Sequence, residues 1–336
     1  MPFSLPPLFA AWRQTWRAGY SLKSLRGDIS AGVTVGIIAI PLAMALAIAV
    51  GVPPQQGLYT VLIAAPLIAL TGGSRFNVSG PTAAFVVILL PITQQYGLGG
   101  LLLCTMLAGL ILIALGLIRA GRLIQYIPYP VTLGFTAGIG IVIATLQLKD
   151  LLGLSIEGRP EHYVEQLLGL IQALPSAQWG DALVGIVCLA VLILWPRLLP
   201  GIPGHLVALA TGAMLGLLLE RVGLPVATLG ERFSYVIDGI SHPGIPPFLP
   251  GFDWPWNLPT ANGQPVQLSY DLIRQLMAPA FAIAMLGAIE SLLCAVVADG
   301  MTGSKHDPNA ELLGQGLGNL IAPLFGGHHR HGRDRP

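Results

Sequence analysis

The strongest constraint on this chain is a run of 22 residues, Ile29 to Val50, that holds no charged side chain. A bilayer core about 30 Å thick takes roughly 20 apolar residues to cross as a helix. A run this uniformly apolar, with no alternation of polar side chains, satisfies its backbone in lipid only as a helix. Six more strong runs follow at Leu58–Leu70, Leu98–Ile118, Val131–Leu148, Ala182–Trp195, His205–Leu219 and Leu276–Val297. A shorter run, Pro81–Ile92, and a weaker one, Leu312–Phe325, bring the expected spans to nine. The sequence therefore predicts an all-α integral membrane protein. Only 10% of the 336 residues are charged, where a soluble domain carries about 25%. A net charge of +1 gives no basic excess for a polyanion, so nucleic acid is excluded as a partner.

Charge placement orients the spans. Arg13, Arg17, Lys23 and Arg26 precede the first run, which places the N-terminus in the cytoplasm. Alternate crossing then puts Arg75, Arg119, Arg122, Arg197 and Lys305 on the same side, and Lys149, Arg159, Arg221, Arg232 and Arg274 on the other. The chain reads as a leader over residues 1–28, whose Trp12, Trp16 and Tyr20 mark it as an amphipathic interfacial anchor. Spans one to seven fill residues 29–219, and spans eight and nine fill 276–327. Between them, residues 220–275 form an extracytoplasmic loop rich in proline, with Trp254 and Trp256, expected to rest on the membrane surface rather than to bind a ligand. The first run is not read as a signal peptide, because it is too long, lies behind a 28-residue polar and aromatic leader and has no clear cleavage site. Cys104, Cys188 and Cys294 sit in apolar runs without metal or redox spacing and read as small buried hydrophobes.

Three features go beyond anchoring. The segment Gly72-Gly73-Ser74-Arg75-Phe76-Asn77-Val78-Ser79-Gly80-Pro81-Thr82-Ala83-Ala84 introduces the short third run. Ser79 can cap a helix and Pro81 suits its first turn. From Pro81 to Ile92 such a helix is too short to cross, so it is expected to begin inside the membrane. Irregular backbone at that depth lines protein or a polar cavity, and a helix N-terminus there is an anion site. A shortened helix broken at Pro91 is the alternative. The second feature is Glu290, the only acidic residue in Leu276–Val297. A carboxylate at mid-helix costs about 2.5–3.5 kcal/mol to insert, and burial favours its neutral form. Glu290 is therefore a candidate proton carrier, with helix–helix hydrogen bonding as the plainer alternative. The third is Pro41 in mid-run, with Gly32 and Gly36 nearby for close packing.

Ala64-Ala65-Pro66-Leu67-Ile68-Ala69-Leu70-Thr71-Gly72-Gly73 is echoed by Ile321-Ala322-Pro323-Leu324-Phe325-Gly326-Gly327, the Gly-Gly pairs lying 254 residues apart. Together with Asp28-Ile29-Ser30-Ala31-Gly32-Val33-Thr34-Val35-Gly36, Ile40-Pro41-Leu42-Ala43-Met44-Ala45 and Gly57-Leu58-Tyr59, these segments resemble the sulfate permease (SulP) family. Within it they are most similar to the bacterial DauA-type branch that carries four-carbon dicarboxylates such as succinate. The resemblance implies a 7+7 inverted-repeat fold of 14 spans, a half-helix at the substrate site and a cytoplasmic STAS domain. Only the first nine spans are present here, and the STAS domain is absent. It further implies an anion site built from Leu42 and Leu46 of the first span, Ser79 and Gly80 before the half-helix, and the helix-terminal N–H groups of Thr82, Ala83 and Ala84. Glu290 takes the coupling-ion position, where glutamate in place of aspartate favours protons over sodium. Leu42 stands where several relatives carry Gln, so substrate preference does not transfer.

A second half-helix is expected soon after Gly327, but residues 328–336 read His-His-Arg-His-Gly-Arg-Asp-Arg-Pro. Metal binding by the histidines is one reading. A one-base frame change explains more: a permitted codon choice for His328 to Arg335, shifted by one base, gives Ile-Thr-Ala-Thr-Ala-Ala-Thr-Ala, close to what relatives carry there. The expectation is a truncated product, inactive alone, of a secondary active anion transporter in the bacterial inner membrane. The implied partners are a small anion (sulfate or a dicarboxylate), a proton, the lipid bilayer and, at full length, a second copy of the chain. No cofactor is expected beyond the proton gradient, no metal site is assigned, and no enzyme constellation is present. A nucleobase permease of the same architecture and an anion channel are the alternatives.

Overall fold

A computed structural model describes residues 8–126, 129–155, 163–199, 202–237 and 240–326. Arg159, Gly327 and the tail 328–336 lie outside these residues. The elements are helices α1 (Ala10–Arg17), α2 (Leu22–Ala49), α3 (Pro54–Thr71), α4 (Val86–Leu117), α5 (Tyr129–Leu151), α6 (Tyr163–Ala173), α7 (Trp179–Leu198), α8 (Gly204–Arg221) and α9 (Leu229–Arg232). A hairpin follows, β1 (Ser234–Ile237) and β2 (Ile240–Pro243), and then α10 (Tyr270–Thr302) and α11 (Pro308–Ile321). Among the described residues four helical stretches are long and apolar enough to cross a membrane: Leu22–Ala49, Ala83–Leu117, Trp179–Leu198 and Tyr270–Thr302.

Local chemistry sets where these helices begin. Ser21 accepts the Ser24 N–H and starts α2 inside the stretch that reads as leader, so the amphipathic part is the short α1 alone. Proline at the first helical position opens α3 and α11, where its missing N–H costs nothing. Ser269 caps α10 by accepting from Leu272, so α10 begins ahead of its apolar core. The hairpin departs from the all-α expectation. Tyr235, Val236 and Ile237 favour extended backbone, and they pair with His242, Ser241 and Ile240 in antiparallel register.

The half-helix also differs from its expected bounds. Pro81 lies in irregular backbone; Thr82 is the N-cap, a 3₁₀ turn runs from Ala83 to Phe85, and α4 continues from Val86. Pro91 does not break it. The interruption falls at Gly97, whose φ of 69° and ψ of −170° are open to glycine but strained for other residues.

The described residues divide into two compact units. In the first, which includes the described residues 42–126, 129–136 and 247–326, α11 packs between α3 and α4, and α10 packs on α4. Glycine makes these approaches possible: a Cβ on Gly109 would stand 2.7 Å from the Gly316 carbonyl oxygen, and one on Gly314 would stand 2.8 Å from the Gly72 Cα. The echoing segments meet here, with Ala64, Ile68 and Ala322 forming one buried cluster. Their bonding is reciprocal as well. Gln56 in the first turn of α3 donates to the Gly326 carbonyl at 2.9 Å, while Glu311 in the first turn of α11 accepts from the Gly73 N–H at 2.9 Å. The part of the Pro-rich segment from Pro247 onward packs within this unit: Gly99 donates to the Pro259 carbonyl, Asp253 donates to that of Leu324, and Val266 is buried.

The second unit covers the described residues among 30–41, 137–155, 163–199, 202–237 and 240–246. In it α7 packs on α8, where a Cβ on Gly212 would meet Cys188 Sγ at 2.6 Å. Arg232 pairs with Asp150 at 3.3 Å and with the buried Asp181 at 3.6 Å, and the other Asp181 oxygen accepts the Ala227 N–H at 2.8 Å. These bonds tie the end of α5, the start of α7 and the segment around α9.

Candidate functional site

The first unit gathers its polar side chains where three chain segments meet: the irregular stretch from Gly72 to Thr82, the middle of α10 and the first turns of α11. The start of the half-helix is built by Thr82. Its Oγ accepts the Ala84 N–H at 3.3 Å, its carbonyl accepts the Phe85 N–H at 3.2 Å, and its hydroxyl donates to Glu290 Oε1 at 2.6 Å. On the α10 side, Gly287 faces this turn, where a Cβ would stand in ordinary contact, 3.5 Å from the Phe85 ring. The second Glu290 oxygen, Oε2, is buried with no hydrogen-bond partner among the described residues. A helix N-terminus and an acidic side chain with an open acceptor thus share one small volume. The first favours an anion, and the second has room for a proton or another donor.

A second carboxylate organises the surroundings. Glu311 is 1% exposed. Its Oε2 accepts the backbone N–H groups of Gly73 at 2.9 Å and Ser74 at 3.1 Å; its Oε1 accepts from Asn77 Nδ2 at 2.8 Å, Ser291 Oγ at 3.0 Å and Gln315 Nε2 at 3.4 Å. Gln315 also donates to Ser79 Oγ at 3.0 Å and Ser291 Oγ at 3.1 Å, and Asn77 reaches Ser291 at 3.3 Å. Backbone crowding matches: a Cβ on Gly73 would fall 2.0 Å from the Asp307 carbonyl oxygen.

Of the residues singled out from sequence, Thr82 and Glu290 are in direct contact, and Ser79 joins through Gln315. Ala83 and Ala84 form the first 3₁₀ turn, half-buried, with the Ala84 N–H turned to the Thr82 hydroxyl. Gly80 is exposed, with open space around its Cα. Leu42 and Leu46 lie one turn apart on α2 just past Pro41, Leu46 buried and Leu42 half-exposed, outside the hydrogen-bonded group. Gly32 and Gly36, expected to allow close packing, have nothing within 4 Å of where a Cβ would stand among the described residues. Sequence reasoning missed Glu311, Asn77, Ser291 and Gln315. The one available signal was the spacing Asp307-Pro308-x-x-Glu311-x-x-x-Gln315, which places both long polar side chains on one helical face. No group of three or more His, Cys, Asp or Glu side chains with metal-binding geometry exists among the described residues.

The model of the Sulfate permease family matches residues 25–332. The chain belongs to the sulfate permease family. It is 40% identical over 309 residues to a Bacillus subtilis protein named putative sulfate transporter YvdB, covering 92% of this chain and 54% of that one. It is 30% identical over 319 residues to the bicarbonate transporter BicA of Picosynechococcus, covering 91% and 51%. The chain therefore spans about half the length of the curated relatives it matches. Its fold is that of the solved transmembrane domain of a cyanobacterial bicarbonate transporter BicA, with a TM-score of 0.73 and 29% identity over 92% of this chain and 74% of that one. These relatives are named as transporters, not as enzymes.

Proposed function

We propose that this chain carries the anion site of a proton-coupled secondary transporter. The observation behind this reading is the 2.6 Å bond from Thr82 to Glu290 at the half-buried first turn of a helix. The anion is held at the first turn, by the N–H of Ala83 and the groups around Thr82 and Ala84, with Ser79 and Gly80 on its approach and Leu42 and Leu46 as apolar wall. Glu290 carries the coupling proton. A negative charge on Glu290 opposes a bound anion and a neutral one does not, so anion and proton bind with mutual preference. The substrate class is a small anion such as sulfate or bicarbonate, as the names of the relatives suggest. A four-carbon dicarboxylate of the DauA-type branch is the other candidate, since Leu42 leaves the wall free of a polar selector. The membrane is the bacterial inner membrane, the N-terminus is cytoplasmic, and the full-length protein works as a dimer.

The test is equilibrium binding of radiolabelled sulfate, bicarbonate, succinate and uracil to the chain in lipid nanodiscs. At least one of the three anions is expected to bind and uracil is not; the reverse pattern identifies a nucleobase permease. Sulfate keeps its double charge at every pH the folded chain tolerates, so its affinity should fall as pH rises and the protein's own carboxyl group loses its proton. Glu290→Gln mimics the protonated state and should bind sulfate with an affinity independent of pH. An unchanged pH profile in Glu290→Gln removes this residue from coupling. Anion flux that ignores an imposed proton gradient in proteoliposomes would identify a channel.

A further inference from the structure

We propose that Glu311 is the positioning residue of the site: it holds the irregular segment 73–79 between α10 and α11, and so sets where the half-helix begins relative to Glu290. This deepens the transport reading and rests on it for its functional arm.

The argument is geometric. Residues 73–79 have no helix or strand to satisfy their backbone, and buried polar backbone must find partners elsewhere. Glu311 supplies them, taking two consecutive N–H groups on one oxygen and two side-chain donors from different elements on the other. Both oxygens are used as acceptors only. No Lys, Arg or His pairs with this carboxylate among the described residues, so its charge is met by neutral donors, which are strongest when the acceptor is ionised. A glutamine at this position presents an NH₂ to at least one set of donors and leaves them unsatisfied.

The donors are those that fix the site. Ser79, held by Gln315 of the same network, precedes Thr82 by three residues, and Ser291 directly follows Glu290 on α10. One carboxylate therefore references both halves of the Thr82–Glu290 contact without touching either. A side chain serving packing alone would not need to bind the two partners' immediate neighbours together.

The experiment compares the full chain, Glu311→Gln and Glu311→Asp in nanodiscs. Backbone hydrogen exchange is read without any anion present. Glu311→Gln should raise exchange at least tenfold within residues 73–85 and leave the centres of α7 and α8 unchanged; Glu311→Asp, which keeps the charge on a shorter stem, should recover part of the protection. Sulfate binding is read in parallel across the pH range. Glu311→Gln should weaken it at least tenfold and flatten its pH dependence although Glu290 is intact, with Glu311→Asp intermediate. Unchanged exchange in residues 73–85 overturns the proposal, as does raised exchange with wild-type sulfate affinity and pH profile, which marks a role in packing alone. If Glu311→Gln does not fold, Glu311→Asp decides on the same two readouts. If the wild-type chain binds none of the three anions, the transport reading falls while the exchange arm still decides the positioning role.

Discussion

At the scale of single residues, two carboxylates of the same unit differ in how visible they are from sequence. Glu290 stands out because no other acidic residue interrupts Leu276–Val297, and a charge in an apolar run must have a reason. Glu311 hides in a polar turn with Asp307 and Asn309, where an acidic residue reads as an ordinary partner of the helix dipole. Its burial arises from residues more than 230 positions earlier, Gly73, Ser74 and Asn77, and no local pattern encodes such a contact. Glycines divide in the same way. A Cβ on Gly57 would fall 2.1 Å from the Ala43 carbonyl oxygen and 3.2 Å from Ala47 Cβ, so α2 and α3 touch there through backbone. Gly57→Ala should therefore destabilise the chain by about 1–3 kcal/mol, the usual cost of overpacking, and lower the thermal midpoint in nanodiscs. Gly32→Ala, with nothing within 4 Å, should leave that midpoint unchanged or raise it, because alanine favours helix over glycine by about 1 kcal/mol. Equal shifts for the two substitutions would contradict the assigned contact.

At the scale of elements, the sequence located the helices by their apolar runs but not all of their ends. The half-helix was legible because Gly72 to Ala84 breaks the apolar pattern at a depth where breaks are costly. The alternative reading breaks it at Pro91, but the interruption occurs at Gly97. Proline removes one hydrogen bond but fixes φ in the helical range; Thr93, two residues on, places its own hydroxyl on the Leu89 carbonyl at 3.0 Å within the continuing helix. Gly97 instead takes a positive φ, and the Pro-rich segment decides this: a Cβ there would lie 2.3 Å from the Thr260 carbonyl carbon, and one on Gly99 would lie 2.4 Å from Val266 Cγ2. Residues 255–266, part of the segment expected to rest on the membrane surface, are what α4 turns against. Gly97→Ala meets both a strained φ and a backbone clash. It should release residues 255–266 from α4, giving faster proteolysis within that stretch while the circular dichroism of the helices persists. Proteolysis at the wild-type rate would show that Gly97 is not the seat of this packing.

At the scale of the whole molecule, the cytoplasmic N-terminus expected from the charge count makes a prediction that the packing of the first unit helps to frame. The Gly73 carbonyl accepts from Asp307, Gly121 donates to Asn309 Oδ1, and the leader donates from Phe9 and Ala11 to the carbonyls of Thr71 and Gly72. These contacts bring the segments that carry Arg13, Arg17, Arg75, Arg119, Arg122 and Lys305 to one end of the unit. The opposite end holds Gln56, Gly97, Gly326 and the Pro-rich segment with its stacked Trp254 and Trp256, 4.6 Å between ring centroids. Cations gathered at one end are what a cytoplasmic surface selects, whereas tryptophans, here at both ends in Trp12, Trp16, Trp254 and Trp256, mark either interface. Two exposed positions test this in a background where Cys104, Cys188 and Cys294 are replaced by alanine. A membrane-impermeant maleimide applied to spheroplasts should label Asn262→Cys directly and Gln14→Cys only after the membrane is opened. The reverse order would invert the chain in the membrane and, with it, the side from which the segment before Thr82 is reached.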